Sequence, residues 1–361
     1  MRNKLKTFVL GFLCFSMTAL PAAAEPVMPP ELEQMMNGQP QQVITELPPR
    51  LSIDYIANIT YNLVRDVQKL PNGNLLLCRV GAWMPGIVEV DQQGNAVWSY
   101  YGLQANSAQR LANGNTLIAD SGAPGAPYVP RVVELTRDGK KAWEYTLPSL
   151  AQAPRYAERL ANGNTLVVLP FEVREVTPQK KVVWQYGLGK PGKSGDAGYL
   201  ARPSRAHRLS NGNTIIVDRG YFKNGRVLEV SPGKKVVWQF AAPATPATAA
   251  AAAATAESQE QRPPSLVEPL DALRLADGST LVTDKKQDMV FLVDAQGQVL
   301  QAKTWAGLYK TASVTDLWFA EPREDGNVLI SGTMVTGRTR VAEIIGDSMK
   351  VVWEKSFSQD N

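Results

Sequence analysis

The stretch RLANGNTLIAD, residues 110–120, decides the fold because the chain repeats it. Its central Asn-Gly pair lies between apolar, β-prone runs, and this dipeptide favours the positive φ angles of tight hairpin turns. Related copies begin at residue 69 (KLPNGNLLLC), 159 (RLANGNTLVVL), 208 (RLSNGNTIIVD), 274 (RLADGSTLVTD) and 323 (REDGNVLISG). The repeated phrase therefore predicts one β-hairpin in each of several similar units.

A second phrase follows each copy of the first and predicts a second hairpin. Its first copy is IVEVDQQGNAVWSY, and the others begin at residues 132, 173, 227, 290 and 341. Two hairpins make a four-stranded antiparallel sheet, and the turn glycines of the first phrase lie 41, 49, 49, 66 and 48 residues apart, which suits that size. Six such sheets cover their faces when they stack radially. We therefore predict an all-β fold, a six-bladed β-propeller of four-stranded antiparallel blades.

One tryptophan occupies the same place in every repeat. These residues are Trp98, Trp143, Trp184, Trp238, Trp305 and Trp353. A belt of tryptophans could stack on a cofactor. Repetition instead favours packing between blades, because each ring buries a large apolar area and fills the wedge between two sheets.

The phrases L-x-N-G-N-T-L-I and V-x-E-V-x-x-x-G-K-x-V-W-x-Y resemble the repeats of the PQQ-like and arylsulfotransferase-like β-propellers, from about residue 54 to residue 357. The resemblance implies the fold and leaves the function open, since these families include quinone-dependent dehydrogenases, sulfate-transfer enzymes and non-catalytic assembly scaffolds. The sulfate-transfer enzymes use several histidines, whereas this chain has one, His207. The quinone enzymes have a vicinal cysteine pair and a calcium held by carboxylates, whereas Cys78 has no cysteine neighbour. Both catalytic functions are therefore disfavoured.

The first 24 residues have the pattern of a secretory signal peptide. Arg2, Lys4 and Lys6 precede a short apolar run, which ends in PAAAE. The run is too short for a comfortable membrane span, and we expect cleavage after Ala24 and a periplasmic or secreted protein. The whole chain has a formal charge of +4, and without the three basic residues of the leader about +1 remains. That balance gives no basis for nucleic-acid binding, which needs clustered positive charge.

The remaining chain divides into an arm and the propeller. Residues 25–51 are rich in Pro and Gln and are expected to form an N-terminal arm, and residues 52–361 form the propeller. The Ala-, Pro- and Thr-rich segment 241–264 is expected to be a tolerated surface insertion, with a docking or glycosylated arm as the alternative. The strand-like segment LSIDYIANITYN, residues 51–62, would complete the last blade and remove its exposed edge.

Two sets of residues have a structural and a chemical interpretation. Cys78 lies in an apolar strand and is expected to be a buried thiol rather than a nucleophile. Asp120, Asp218 and Asp284 recur at the end of the second strand. Carboxylates there could hold calcium, but their repetition favours turn caps that accept loop amides.

The candidate site residues lie just before the first phrase, where the first strand of each blade lines the central channel. Packing positions repeat because every blade solves the same problem, so polar residues that do not repeat are the best functional candidates. The residues chosen on this basis are Arg65, Asp66, Arg155, Tyr156, Arg202, Arg205, His207, Asp271 and Asp316. The arginines among them would bind a small anion or an acidic peptide. The alternative is that Asp66, Asp271 and Asp316 pair with these arginines in a water-filled channel.

The sequence favours a non-catalytic binding or assembly module over an enzyme. The favoured partner is a protein or a small anionic ligand at the channel face, with a monomeric protein and no cofactor or metal; calcium and PQQ have no support in the residues. The alternative is aryl sulfate transfer or lactone or ester hydrolysis at the channel mouth, with His207 as base or nucleophile and Arg205 as anion binder.

Overall fold

The computed structural model describes residues 63–80, 85–122, 129–194, 196–220, 225–241, 266–287, 289–304, 314–322, 327–334, 339–345 and 350–356. Within these ranges every regular element is a strand, apart from one short 3-10 helix at Leu150–Gln152. The predicted leader, the arm, the segment 51–62 and residues 242–264 of the insertion lie outside the described residues. Ala241, which the sequence placed in the insertion, is the last residue of a strand.

The strands form six four-stranded antiparallel sheets, each built from consecutive strands. Blade 1 contains β1 (Leu63–Lys69), β2 (Leu75–Val80), β3 (Gly86–Val90) and β4 (Ala96–Tyr101). Blade 2 contains β5 (Ala105–Arg110), β6 (Thr116–Asp120), β7 (Arg131–Leu135) and β8 (Lys141–Thr146). Blade 3 contains β9 (Tyr156–Arg159), β10 (Thr165–Leu169), β11 (Glu172–Val176) and β12 (Val182–Gly187).

Blade 4 contains β13 (Pro203–Arg208), β14 (Thr214–Asp218), β15 (Arg226–Val230) and β16 (Val236–Ala241). Blade 5 contains β17 (Pro269–Arg274), β18 (Thr280–Asp284), β19 (Met289–Val293) and β20 (Val299–Thr304). The last sheet contains β21 (Val314–Pro322), β22 (Asn327–Met334), β23 (Thr339–Ile345) and β24 (Lys350–Ser356).

The first strands of the sheets follow one another around a centre. Contacts link β1 to β5, β5 to β9, β9 to β13, β13 to β17 and β17 to β21, and β21 also contacts β1. The prediction of an all-β propeller with four-stranded antiparallel blades is confirmed. The sequence predicted six blades. Five of the sheets are described with their side chains, and the sixth sheet, β21–β24, is described almost entirely by its backbone pairing.

The turn of the first phrase shows why this sequence makes a hairpin. Gly114 has a φ of +85°, and its amide donates to the carbonyl of Leu111, whose own amide donates to the carbonyl of Asn115. This is a three-residue loop in which only the glycine adopts the left-handed conformation, and Asn113 accepts the Asn115 amide through its side chain. The Asn-Gly pair therefore fixes the register of β5 and β6.

The cores lie between neighbouring blades. One cluster joins blades 1 and 2 and contains Trp98, Ile118 and Val133, and further clusters join blades 2 and 3, 3 and 4, and 4 and 5. The Trp98 indole N–H donates to the carbonyl of Arg137 in the next blade at 2.9 Å. The prediction that the tryptophans pack between blades is confirmed for Trp98, Trp143, Trp184 and Trp238. Trp305 and the side chain of Trp353 lie outside the described residues.

The Arg and second Asn of the first phrase form an interblade clamp around a glutamate of the second phrase. Arg110 of blade 2 donates to Glu89 of blade 1 at 3.0 Å, and Asn74 donates to the other carboxylate oxygen at 2.8 Å. The other clamps are Arg159–Glu134–Asn115, Arg208–Glu175–Asn164 and Arg274–Glu229–Asn213. Each clamp arginine also lies over the tryptophan of the preceding blade, at 4.5 to 5.3 Å from the ring centre. The repeated letters are thus interblade contacts.

Candidate functional site

Several polar residues of the first strands join each strand to the next one in the ring. Ser107 accepts the amide of Ala157 at 3.2 Å, and Gln68 and Gln109 accept the amides of Arg110 and Arg159 at 2.6 and 2.8 Å. The non-repeating residues of these strands therefore include ones with a structural role.

Arg205 and Asp66 make an ion pair across the channel. Arg205 lies on β13 of blade 4 and Asp66 on β1 of blade 1, and three steps around the ring separate these strands in either direction. The Arg205 Nη2 donates to Asp66 Oδ1 at 3.0 Å, and its Nε lies 3.7 Å from Asp271 Oδ2 on blade 5. Arg205, Asp66 and Asp271 are all buried, so these contacts lie in the interior of the propeller.

Asp66 is held from several sides. Its Oδ2 accepts the amide of Ala108, and its Oδ1 accepts the amide of Val67 in addition to Arg205. Burial raises the pKa of Asp66 to about 6; the charge of Asp271 also raises it, whereas Arg205 and the two amides lower it. The Asp66 carboxyl group therefore changes its protonation state near pH 6.

His207 lies two residues further along β13, between two carboxylates. Its Nδ1 is 3.1 Å from Glu158 Oε2 and its Nε2 is 3.0 Å from Asp271 Oδ1. Burial opposes the charge of the ring, but hydrogen bonds and charges from Asp271 and Glu158 raise the pKa of His207 to about 10. At neutral pH the imidazole is thus a cation that donates from both nitrogens, and it has no lone pair with which to act as a base or nucleophile.

Tyr156 packs against both cations of this network. Its ring meets the His207 ring edge-on at 5.3 Å, and the Arg205 guanidinium lies over its face at 4.4 Å from the centre. Burial raises the pKa of the Tyr156 hydroxyl well above its usual value. The ring holds the neighbouring side chains in place and stays neutral.

Above this network lies a cavity of about 210 Å³, at the end of the propeller where the first strands begin. Its lining residues are Arg65, Asn106, Arg155, Arg202, Ser204, Arg205, Arg219 and Leu270. Five of the eight are arginines and none is acidic, although Glu268 pairs with Arg219 and Asp66 pairs with Arg205 from outside the lining. A cavity with this lining attracts anions.

The backbone positions the cavity residues. Asp218, at the end of β14, accepts the amides of Ala201 and Arg202 at 3.0 and 2.7 Å, which fixes the chain just before β13. Arg155 donates to the carbonyl of Pro203, and Ser204 donates to the carbonyl of Leu270 on blade 5. The cavity wall is therefore built by contacts between blades 3, 4 and 5.

The structure brings most of the predicted site residues together. Arg65, Arg155, Arg202 and Arg205 line one cavity, and Asp66, Tyr156, His207 and Asp271 form the network beneath it. The alternative was that the aspartates pair with these arginines, and Arg205 does pair with Asp66 and Asp271. Asp316 lies on β21, and its side chain is outside the described residues.

Four cavity residues were missed from the sequence, of which three are polar and the fourth is Leu270. Arg219 follows the capping Asp218, and Asn106 and Ser204 lie at strand positions that the comparison of repeats did not sample. The signal for Arg219 was its place directly after the second strand, at the same end of the blade as Arg202.

Other predictions concern caps, the thiol and metals. Asp120, Asp218 and Asp284 each accept two or more loop amides, which confirms that they are turn caps. Cys78 is buried, as expected. Within the described ranges no group of three His, Cys, Asp or Glu side chains is arranged to hold a metal ion. No helix in the described part of the chain is long and apolar enough to span a membrane.

Comparison with known proteins shows the fold. No family model matches the sequence, and no curated protein matches it. A protein of unknown function from Bacteroides caccae is similar in structure, with 17% identity and a TM-score of 0.55 over 78% of this chain and 93% of that one. A catalytically inactive virginiamycin B lyase from Staphylococcus aureus, crystallised with quinupristin, has 12% identity and a TM-score of 0.52 over 84% and 86%. A streptogramin B lyase has 10% identity and a TM-score of 0.52 over 84% and 85%. At these identities the likeness shows a shared β-propeller fold.

Proposed function

We propose that the protein is an exported, monomeric six-bladed propeller that binds a small, multiply charged anion in the arginine-lined cavity. The propeller would act in the periplasm or outside the cell without catalysing a reaction. The observation that carries the proposal is the lining itself, in which five arginines from blades 1, 3 and 4 meet without an acidic residue. The repeat phrases that resemble PQQ-like and arylsulfotransferase-like propellers are compatible with such a non-catalytic role.

The size and charge of the cavity favour a compact ligand over an acidic peptide. Its volume of about 210 Å³ is below the roughly 300–1,000 Å³ of pockets that take drug-sized ligands. Asp66 and Glu268 offset part of the charge of Arg205 and Arg219. Guanidinium groups bind sulfate, phosphate and carboxylate oxygens well, so the lining suits a small body with several such oxygens, such as a sulfate, a phosphate ester or a tricarboxylate.

The test is calorimetric titration of the purified protein with sulfate, a phosphomonoester, citrate, acetate and a short oligoglutamate. We expect the multiply charged small anions to bind and acetate to bind much more weakly. Arg155→Met and Arg202→Met should each lower the affinity by about tenfold or more, because each removes a charge-assisted contact. Lys181→Met removes the same charge at an exposed turn residue and should change nothing. Wild-type protein that binds none of the small anions, or that prefers oligoglutamate, would contradict the proposal.

Catalysis at the channel is the second candidate, and the position of His207 beneath the cavity favours it. A virginiamycin B lyase with the same fold exists, and the reactions considered from the sequence are aryl sulfate transfer and lactone or ester hydrolysis. Held between Glu158 and Asp271, a protonated His207 would serve as an acid and not as a base. Assays with aryl sulfates and lactones decide this candidate. Turnover by the wild type and Lys181→Met that disappears in His207→Gln would support it.

A further inference from the structure

Blade 1 reverses a charge pattern that blade 2 shows in full. In blade 2 one row across the sheet reads Asp120, Arg131, Thr146, and Arg131 donates to Asp120 at 3.1 Å and to Glu144 at 3.0 Å. The equivalent row of blade 1 reads Arg79, Gly86, Tyr101. Ser99 occupies the place of Glu144, since Ser99 pairs with Val88 as Glu144 pairs with Val133. Blade 1 therefore has the arginine without either carboxylate.

Arg79 is an exception among the arginines at this end of the blades. Arg131, Arg174 and Arg226 each pair with a carboxylate of their own blade. The Arg79 side chain is only 2% exposed, and neither Nη1 nor Nη2 has a hydrogen-bond partner among the residues that the structure describes. Burial lowers the pKa of Arg79 to about 10, so the guanidinium still carries its charge at neutral pH.

Two buried hydroxyls lie close to this guanidinium. Neither the Ser99 hydroxyl nor the Tyr101 hydroxyl has a hydrogen-bond partner among the described residues. Arg79 and Tyr101 stand in one row across the sheet, on either side of Gly86, and Ser99 lies two residues before Tyr101 on β4, so the three side chains share one face of blade 1. Burial raises the pKa of Tyr101, while Ser99 and the charge of Arg79 lower it. The cluster offers several donors, and none of its groups is an anion.

A buried, unpaired charge with unsatisfied donors is costly, and an acceptor that carries a negative charge removes the cost. We propose that blade 1 binds a small monovalent anion, a halide or a carboxylate, between Arg79, Ser99 and Tyr101. The anion takes the position that the Glu144 carboxylate has in blade 2. This site lies within one blade and is separate from the cavity at the channel, and its ligand stabilises the blade.

Thermal unfolding tests the proposal at constant ionic strength, with sodium chloride, bromide, formate or acetate exchanged for sodium gluconate, whose anion is much larger than the other four. The Arg202→Met background weakens anion binding in the channel cavity, so that a response there contributes little. We expect the small anions to raise the Tm by about 2–4 °C. Arg79→Met should abolish the increase. Ser99→Glu should also abolish it, because the new carboxylate occupies the site as Glu144 does in blade 2.

The outcomes separate the proposal from its rivals. A Tm that is independent of the anion, or an increase that persists in Arg79→Met or in Ser99→Glu, overturns it. A response to formate and acetate alone identifies the ligand as a carboxylate, and a response to chloride and bromide alone identifies a halide. If both variants fail to fold, crystals of the wild type soaked in sodium bromide or in formate decide the matter. Density for an anion at the Arg79 guanidinium supports the site, and its absence with both anions refutes it.

Discussion

Arg205 and Asp66 bind each other across the centre of the ring at 3.0 Å, although 139 residues of sequence separate them. The pair joins blade 4 to blade 1, and its arginine lines the cavity. Arg205 thus belongs both to the cavity lining and to the buried network of Asp66, Asp271, His207 and Glu158. Changes in the charge of that network should therefore alter the affinity of the cavity for an anion.

The affinity for an anion should rise as the pH falls through about 6. Burial raises the pKa of Asp66 to about 6, so below that value the carboxyl is neutral and no longer offsets the charge of Arg205. Sulfate is a suitable probe because it stays a dianion over the whole range. We expect it to bind roughly five- to tenfold more tightly at pH 5 than at pH 7.5, measured by calorimetry.

Asp66→Asn provides the control for this pH effect. The variant has no titrating carboxyl at the position, and it should bind sulfate at pH 7.5 about as tightly as the wild type does at pH 5. A variant that keeps the pH dependence of the wild type would show that another group controls the affinity.

His207 should stay protonated in the folded protein well above its usual pKa. Because Asp271 and Glu158 raise that pKa to about 10 from 6.5, the charged ring contributes stability that is complete below pH 6.5 and is lost as the pH rises through about 10. His207→Gln should lower the free energy of unfolding by about 3–5 kcal/mol at pH 6, since it leaves two carboxylates without their cation. The difference should shrink steadily from pH 6.5 to pH 10, measured by chemical denaturation.

Nuclear magnetic resonance checks the same point directly. The ring nitrogens of His207, the only histidine of the chain, should both carry protons at pH 8. A neutral imidazole spectrum at pH 8 would refute the assigned charge and would restore His207 as a candidate base.

The parts of the fold that were predictable depend on short stretches of sequence. The Asn-Gly turns, the alternation of two hairpins and the tryptophan positions all follow from patterns within about 50 residues, and the structure has them. The clamp of Arg110, Glu89 and Asn74 was visible as repeated letters, but repetition alone does not show that the arginine bonds to the preceding blade.

The candidate site was predictable in composition and not in geometry. Arg65, Arg155, Arg202 and Arg205 were found because they break the repeat, whereas Arg219 comes from the chain after β14. The contact of Arg205 with Asp66 depends on the width of the channel, and the position of His207 between Glu158 and Asp271 depends on the alignment of three first strands. Neither contact can be read from a single sequence, because both depend on how the blades are arranged around the ring.

The interblade clamps should matter for stability and not for binding. Arg208→Met removes the ion pair with Glu175 and the contact with the Trp184 ring, and we expect it to lower the free energy of unfolding by about 2–4 kcal/mol. Arg208→Lys should recover only part of this loss, because lysine lacks the planar fork that bonds and stacks at once. Sulfate affinity should remain that of the wild type in both variants, and a fall in affinity would mean that blade packing controls the cavity.

Asp218 should contribute both to the stability of the propeller and to anion binding in the cavity. Its carboxylate accepts the amide of Arg202 at 2.7 Å and pairs with Arg226, so Asp218→Ala should lower the free energy of unfolding by about 1–3 kcal/mol and also weaken sulfate binding several-fold. Asp120→Ala is the matched control, because Asp120 caps the equivalent turn of blade 2 and pairs with Arg131, but bonds the amide of Gln104, which does not line the cavity. The control should lose similar stability and keep its affinity. Equal losses of affinity in the two variants would show that the caps act only through global stability, and that the backbone of Arg202 needs no fixed position for the anion to bind.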